Sequence, residues 1–265
     1  MFTYHEYNGI IWSCSDLLPV KHLFTGRLGG PGDWPYSRDR DPQWLAEDTQ
    51  KRVRKLWDDL CDGAELPHEL CFTHQVHGNV VRRVTEADRS LPPLPELPPD
   101  CDGLCTDIPG LPINVFTADC TPVLLCDRQG TAAAALHCGW KGTAKDMAGS
   151  GVQALRDMGV ESGDIFAAIG PCISECCFEV GYEVVEAMVK LLGEDAEGTW
   201  RPEDGVEGKY MVDLKEVNRR RLIQLGVPAA QIDVSPDCTM CQSDRYWSHR
   251  ATKGVRGTQA SVIML

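Results

Sequence analysis

No run of about 18 consecutive apolar residues occurs in this sequence, so it offers no candidate helix for crossing a bilayer. The opening residues, MFTYHEYNGIIWS, lack a basic stretch followed by an apolar core; no export signal is expected, and a soluble, cytoplasmic chain is. Basic residues are in deficit, with 26 Lys and Arg against 39 Asp and Glu for a net charge of −13. Such a chain repels polyanions at long range, which argues against a nucleic-acid groove or an anionic membrane surface and for a small-molecule substrate. Histidines number only seven, and neither an H-x-E nor a P-C-x-x-C is present, which disfavours a zinc deaminase of the cytidine type. Internal repeats and convincing linkers are also missing, so residues 1–265 read as a single domain.

Cysteine, by contrast, is plentiful. In a chain without an export signal the thirteen cysteines are expected to be free thiols, and an odd count could not pair completely within one chain. Most, such as Cys14, Cys61 and Cys126, flank apolar residues and read as small buried hydrophobes. Cys238 and Cys241 form a C-x-x-C, a spacing shared by zinc knuckles and redox pairs, but no second C-x-x-C accompanies it.

Helical and strand-like stretches alternate. Residues 42–60 read as a helix, with Asp41 to cap it, Pro42 at its first position, and Trp44, Leu45, Val53, Leu56, Trp57 and Leu60 recurring every three or four residues. Residues 70–84 read as extended around the polar turn THQVHG, and the proline-rich 91–99 as a surface excursion. Strands are expected at 113–116, 122–126, 132–136, 165–169 and 232–235. Helices are expected at 143–158, 179–192 and 212–225, with 193–209 a loop. The turn CGWKGT between a strand and a helix gathers backbone N–H groups that suit an anion.

Three short segments are built around reactive side chains: THQVHG with His77, TADCTPVLL with Cys120, and ALHCGWKGT with His137. Taken singly, each has a bland reading as a solvated turn, a core thiol or a strand-end hydrogen-bonder. Their neighbours favour function. Gly78, Asp119, Gly139 and Lys141 put small residues, a carboxylate and a cation beside soft ligands, and two imidazoles with one thiolate make a three-ligand zinc set whose fourth position stays open.

The ordered succession of Phe24-Thr25-Gly26-Arg27 with Gly29-Gly30, QVHG, Asp102-Gly103-Leu104 with Thr106, ADCTPVLL, HCGWKGT, IGPCI, CFEVG, then CT and WSHR resembles the YfiH-like family, also called the laccase-domain or multicopper polyphenol oxidase family. The resemblance covers residues 24 to 264 and implies that family's fold, an α/β (α+β) single domain with mixed β-sheets flanked by helices. It implies zinc ligands at His77, Cys120 and His137, with copper as the metal that the family label adds. The implied activity is purine nucleoside phosphorolysis of adenosine, inosine, guanosine and S-methylthioadenosine, with adenosine deamination besides; some members are linked to peptidoglycan precursor editing. Cys120, His137 and Asp119 then become the candidate catalytic residues, Asp119 in a supporting or proton-transfer role. Arg27, Lys141 and Arg250 are candidates to hold phosphate, and Gln75 joins them as a substrate contact.

Two departures from the family pattern stand out. Lys141 replaces the usual arginine of GWRG, keeping the charge without the planar fork, and His249 and Ala251 break the terminal FxSYRR-like motif. Laccase chemistry of the four-copper kind takes more imidazoles than this chain has, since His5, His22 and His68 lie outside every motif. A cysteine hydrolase, with Cys120 as nucleophile and His137 or His77 as base, is the alternative enzyme, and a closed structural zinc with Cys138 or His74 as fourth ligand is the non-catalytic one. Monomer and homodimer are both open.

Overall fold

The computed structural model describes residues 1–27, 47–91 and 98–265, in which two β-sheets pack face to face and each carries helices on its outer side. The first sheet is antiparallel throughout, in the order β1 (Phe2–Tyr7), β2 (Ile10–Ser15), β3 (Lys21–Thr25), β14 (Gln259–Met264) and β6 (Ile113–Thr117). The second runs β13 (Ile232–Val234), β9 (Ile165–Ile169), β7 (Thr121–Asp127), β8 (Ala133–Cys138), β5 (Gly103–Thr106), β4 (Val81–Arg83) and is mixed, with parallel pairs only at its two edges. A three-stranded sheet of β10 (Glu179–Val180), β12 (Tyr210–Val212) and β11 (Trp200–Pro202) completes the β-structure among the described residues. The helices are α1 (Glu47–Ala64), α2 (Trp140–Ala144), α3 (Met147–Asp157), α4 (Tyr182–Leu192) and α5 (Leu214–Gln224).

The two-residue period of β7 explains the layering. Val123 and Leu125 pack with Met147, Val152 and Leu155 of α3 and Leu222 of α5, while Leu124 and Cys126 turn toward Ile113 and Val115 of β6 and Ile263 of β14. Both faces are therefore buried, which is why the central strands read as unbroken apolar runs rather than as alternation. The far face of the first sheet, with Ile10, Trp12, Leu23, Phe116 and Val262, is covered by Val53, Trp57 and Leu60 of α1. Trp57 stands edge-on to both Phe72 and Phe116, with ring centroids 5.5 and 6.2 Å away.

The expected central strands are present, with β8 continuing through His137 to Cys138. The helix expected at 143–158 is instead two helices, because Asp146 adopts φ +64 and caps α3 by accepting from Gly149 N–H. A short polar side chain that bonds its own backbone suits a cap better than a helix interior. Residues 179–180 pair with β12, so the helix expected from 179 begins at Tyr182, and the loop expected at 193–209 contains β11. The first turns expected of the 42–60 helix, Gly29-Gly30 and residues 92–97 of the proline segment lie outside the described residues.

Candidate metal centre

The register of the second sheet brings separate segments of the chain to one end of it. Thr121 pairs with Cys138 and Pro122 with His137, so Cys120, just before β7, lies beside the end of β8. Gly103 pairs with Leu136, so Asp102, just before β5, also meets His137, and the His137 N–H donates to the Asp102 carbonyl at 2.8 Å. The turn leading into β4 supplies His77. The ligating atoms of His77, Cys120 and His137 all lie within 4.8 Å of one another, with Cys120 Sγ 4.0 Å from His77 Nε2 and the two imidazoles edge to face at 4.9 Å. His137 is buried, Cys120 half-buried and His77 exposed, so the cluster is open on the His77 side.

Asp102 organises this arrangement. It is fully buried, and its carboxylate accepts from His137 Nδ1 at 2.8 Å and from the backbone N–H groups of Val76 (3.1 Å), His77 (2.8 Å) and Gly78 (2.6 Å). The turn is thus wrapped around the carboxylate, which holds His77 at φ +59. A bond from Nδ1–H fixes the tautomer of the neutral His137 ring and leaves the Nε2 lone pair free to bind a cation. Burial works against the Asp102 charge, yet the His137 bond and the turn N–H groups prevail and hold its carboxyl below the ordinary value. Asp102 was absent from the expected site residues; its only signal in the sequence was the Asp-Gly pair inside a motif.

The donor set has the character of a cation site. Burial opposes ionisation of Cys120, but the His137 charge and hydrogen bonds from both imidazoles override it and lower the thiol to about 6. At His137 burial is likewise outweighed, by the thiolate and Asp102, which raise it to about 9. The metal-free cluster therefore favours a thiolate paired with an imidazolium whose proton a cation can displace. Gly139 leaves the room: a Cβ there would stand 2.9 Å from Cys120 Sγ and 3.2 Å from His77 Cδ2. Two imidazoles and a thiolate, without a fourth protein ligand among the described residues, fit zinc with one position open. Cys138 is buried on the helix side of the sheet, where burial raises its thiol, and His74 is bonded to Asp100 at 2.8 Å.

The other expected site residues are differently engaged. Asp119, at φ +83, accepts from Thr239 Oγ1 (2.6 Å), Ser248 Oγ (3.1 Å) and Arg250 N–H (2.7 Å), so both its oxygens are committed to tying loops together beside Cys120. Gln75 is buried with both ends of its amide bonded to the Phe116 backbone, which removes it from the groups free to meet a substrate. Arg27 lies over the Trp247 ring at 4.2 Å and donates to the Ser243 carbonyl; Arg250 lies over Phe178 at 5.7 Å and donates to the Glu179 carbonyl. Lys141 is exposed in the first turn of α2, two residues beyond Gly139. At five residues α2 is too short to act as an anion site through its N-terminus, so the expected oxyanion donors reduce to this lysine and nearby N–H groups.

Comparison with known proteins bears on this site. The family described as multi-copper polyphenol oxidoreductase laccase matches residues 21–265. A Bacteroides thetaiotaomicron protein named purine nucleoside phosphorylase is 32% identical over 96% of this chain and 94% of its own length. A protein from an unknown prokaryotic organism, named adenosine deaminase RL5, is 40% identical over 56% of each chain. The crystal structure of YlmD from Geobacillus stearothermophilus superposes with a TM-score of 0.85 at 30% identity, covering 98% of this chain and 97% of that one.

Proposed function

The chain belongs to the multi-copper polyphenol oxidoreductase laccase family, and from that membership we propose that it is a zinc-dependent purine nucleoside phosphorylase with adenosine deaminase activity. The observation that carries this reading is the open His77, Cys120, His137 donor set, held by Asp102, in a chain whose relatives are named for these two reactions. The substrate class is purine nucleosides, with phosphate as second substrate, and the acidic surface disfavours nucleic acid and anionic membrane as partners.

His77, Cys120 and His137 would hold the metal, whose chemistry is Lewis acidity and a lowered pKa, about 7, for water. The protein's own part is positional and electrostatic. Asp102 keeps the His137 ring oriented and the His77 turn closed. Asp119, with both oxygens bonded, anchors the backbone of Arg250 next to Cys120 and acts as a positioning residue rather than a proton carrier. Lys141, exposed two residues beyond Gly139, is the cation best situated to hold phosphate against the sugar as positive charge develops there; Arg250, whose guanidinium donates to the Glu179 carbonyl, and Arg27, stacked on Trp247, are the further candidates.

The test is an assay of the purified, metal-analysed protein on adenosine with and without phosphate. Adenine release that requires phosphate marks phosphorolysis, and inosine formed without phosphate marks deamination. Neither product from a zinc-loaded, folded protein rejects the reading. Lys141→Met should slow phosphorolysis by roughly 10²-fold, in keeping with removal of one preorganised donor, while sparing deamination. Equal loss of both reactions would reassign Lys141 to the nucleoside.

A further inference from the structure

A second set of sulfurs lies outside the centre described above. Cys176 and Cys177, adjacent in sequence just before β10, meet Cys238 and Cys241 of the C-x-x-C, and the four Sγ atoms all lie within 4.8 Å of one another. The separations are 3.7 Å for Cys176 to Cys177, 3.5 Å for Cys176 to Cys241 and 3.3 Å for Cys177 to Cys241. We propose that these four cysteines bind a second metal ion, a structural zinc held by four thiolates, which clamps together the two loops that support Asp119.

Geometry favours one shared centre over an isolated thiol pair. Zinc–sulfur bonds of about 2.3 Å in a tetrahedron set the sulfurs about 3.8 Å apart, close to the separations here. The sulfurs form a mutual set, in which Cys241 is near both members of the vicinal pair. Cys238, buried at the back, receives backbone N–H groups from Ser174 at 3.4 Å and from Met240 and Cys241, the donors that a sulfur carrying negative charge requires. Cys176 and Cys241 are exposed, which gives an ion a way in and the four released thiol protons a way out. Four soft ligands in a tetrahedron select zinc among the common divalent cations, and a fully ligated ion has no position for substrate.

The surroundings say what the ion would do. Cys172 bridges to Cys238 in parallel, and Thr239 N–H donates to the Cys172 carbonyl at 3.0 Å. From the two joined loops, Ile173 N–H reaches the Asp119 carbonyl at 3.0 Å and Thr239 Oγ1 its carboxylate at 2.6 Å. The four cysteines therefore sit where a clamp would stiffen the partners of the residue next to Cys120. The vicinal pair is the feature that a search for a second C-x-x-C overlooks.

Metal analysis of the protein purified under reducing conditions should find two zinc ions per chain. The double variant Cys176→Ser, Cys241→Ser should fall to one, Cys120→Ala should also fall to one, and the triple variant should hold none. With cobalt in place of zinc, the visible bands of a tetrathiolate site should vanish in the double variant and survive in Cys120→Ala. Should the double variant fail to fold, Cys241→His, which keeps a ligand, should retain two zinc ions. One zinc in the parent protein, with the count unchanged in the double variant, overturns the proposal. So does a disulfide found among these four residues by peptide mass mapping of the zinc-replete protein.

Discussion

Replacing Asp102 by Asn keeps the shape of the side chain and removes its charge, which isolates what the carboxylate does. Oδ1 accepts from His137 Nδ1 and His77 N–H, and Oδ2 from Val76 and Gly78 N–H. An amide has one oxygen, so in either orientation its NH2 group faces two donors. If the oxygen takes the Oδ1 place, Val76 and Gly78 N–H lose their acceptor and the turn loosens; if it takes the Oδ2 place, the His137 ring and the His77 N–H are released together. Two buried donors left unpaired cost about 2–6 kcal/mol at ~1–3 kcal/mol each. For a chain of this size that is a fall in Tm of roughly 4–24 °C. Loss of the carboxylate behind a ligating histidine lowers metal affinity about 10- to 100-fold, or ~1.4–2.7 kcal/mol. Thermal unfolding of the metal-free proteins measures the first quantity without the mass-action effect of bound ion, and chelator competition on the loaded proteins measures the second. An Asp102→Asn variant with Tm and zinc affinity indistinguishable from the parent would refute the account of Asp102 as organiser.

Gly139→Ala should weaken zinc binding by at least about tenfold with little change in circular dichroism, because the methyl would lie 2.9 Å from Cys120 Sγ and 3.6 Å from His137 Nε2 and a ligand must shift. The φ of −62° is open to alanine, so backbone strain is not the cause, and unchanged affinity in chelator competition would show that the cluster has more room than these distances allow. Far from the site, the Asp58 hydrogen bond is the main influence holding the His68 imidazole above its ordinary 6.5, against burial and with help from Asp62. A raised folded value means the stabilisation is complete below pH 6.5 and is lost as pH rises through the raised value. His68→Ala should therefore destabilise the protein below pH 6.5 and become nearly neutral in alkali, by less than ~1 kcal/mol because the pair is exposed; a pH-independent difference in urea unfolding would contradict the linkage.

The clustering of His77, Cys120 and His137 is legible in the sequence because metal chemistry restricts the residue type and because the small residues around them are tied to close approach; Gly139 can be read as serving the cluster before its Cβ direction is known. The strands β6, β7, β8 and β9 are legible for a different reason, since burial on both faces leaves a compact apolar run that needs no alternation to be recognised. The strands β1 to β3 and β14 are harder to read, because β14 pairs with the distant β3 and β6 and because Ser13, Ser15 and His22 interrupt the pattern while still being buried. Asp102 is not legible as an organiser because an aspartate before glycine is, locally, an ordinary turn. Only the pairing of β5 with β8 gives it a histidine to orient. Asp119 shows the converse: its neighbour in sequence is the ligand, which suggests proton transfer, but in three dimensions its oxygens belong to Thr239, Ser248 and the Arg250 backbone. A carboxylate 18 positions from Cys120 in the chain thus bonds to the cluster more directly than the one adjacent to it. The same logic applies to the four clustered cysteines. What decides whether a polar residue serves a centre is the register of the strands that end there, and the lengths of sequence between those ends carry no trace of it.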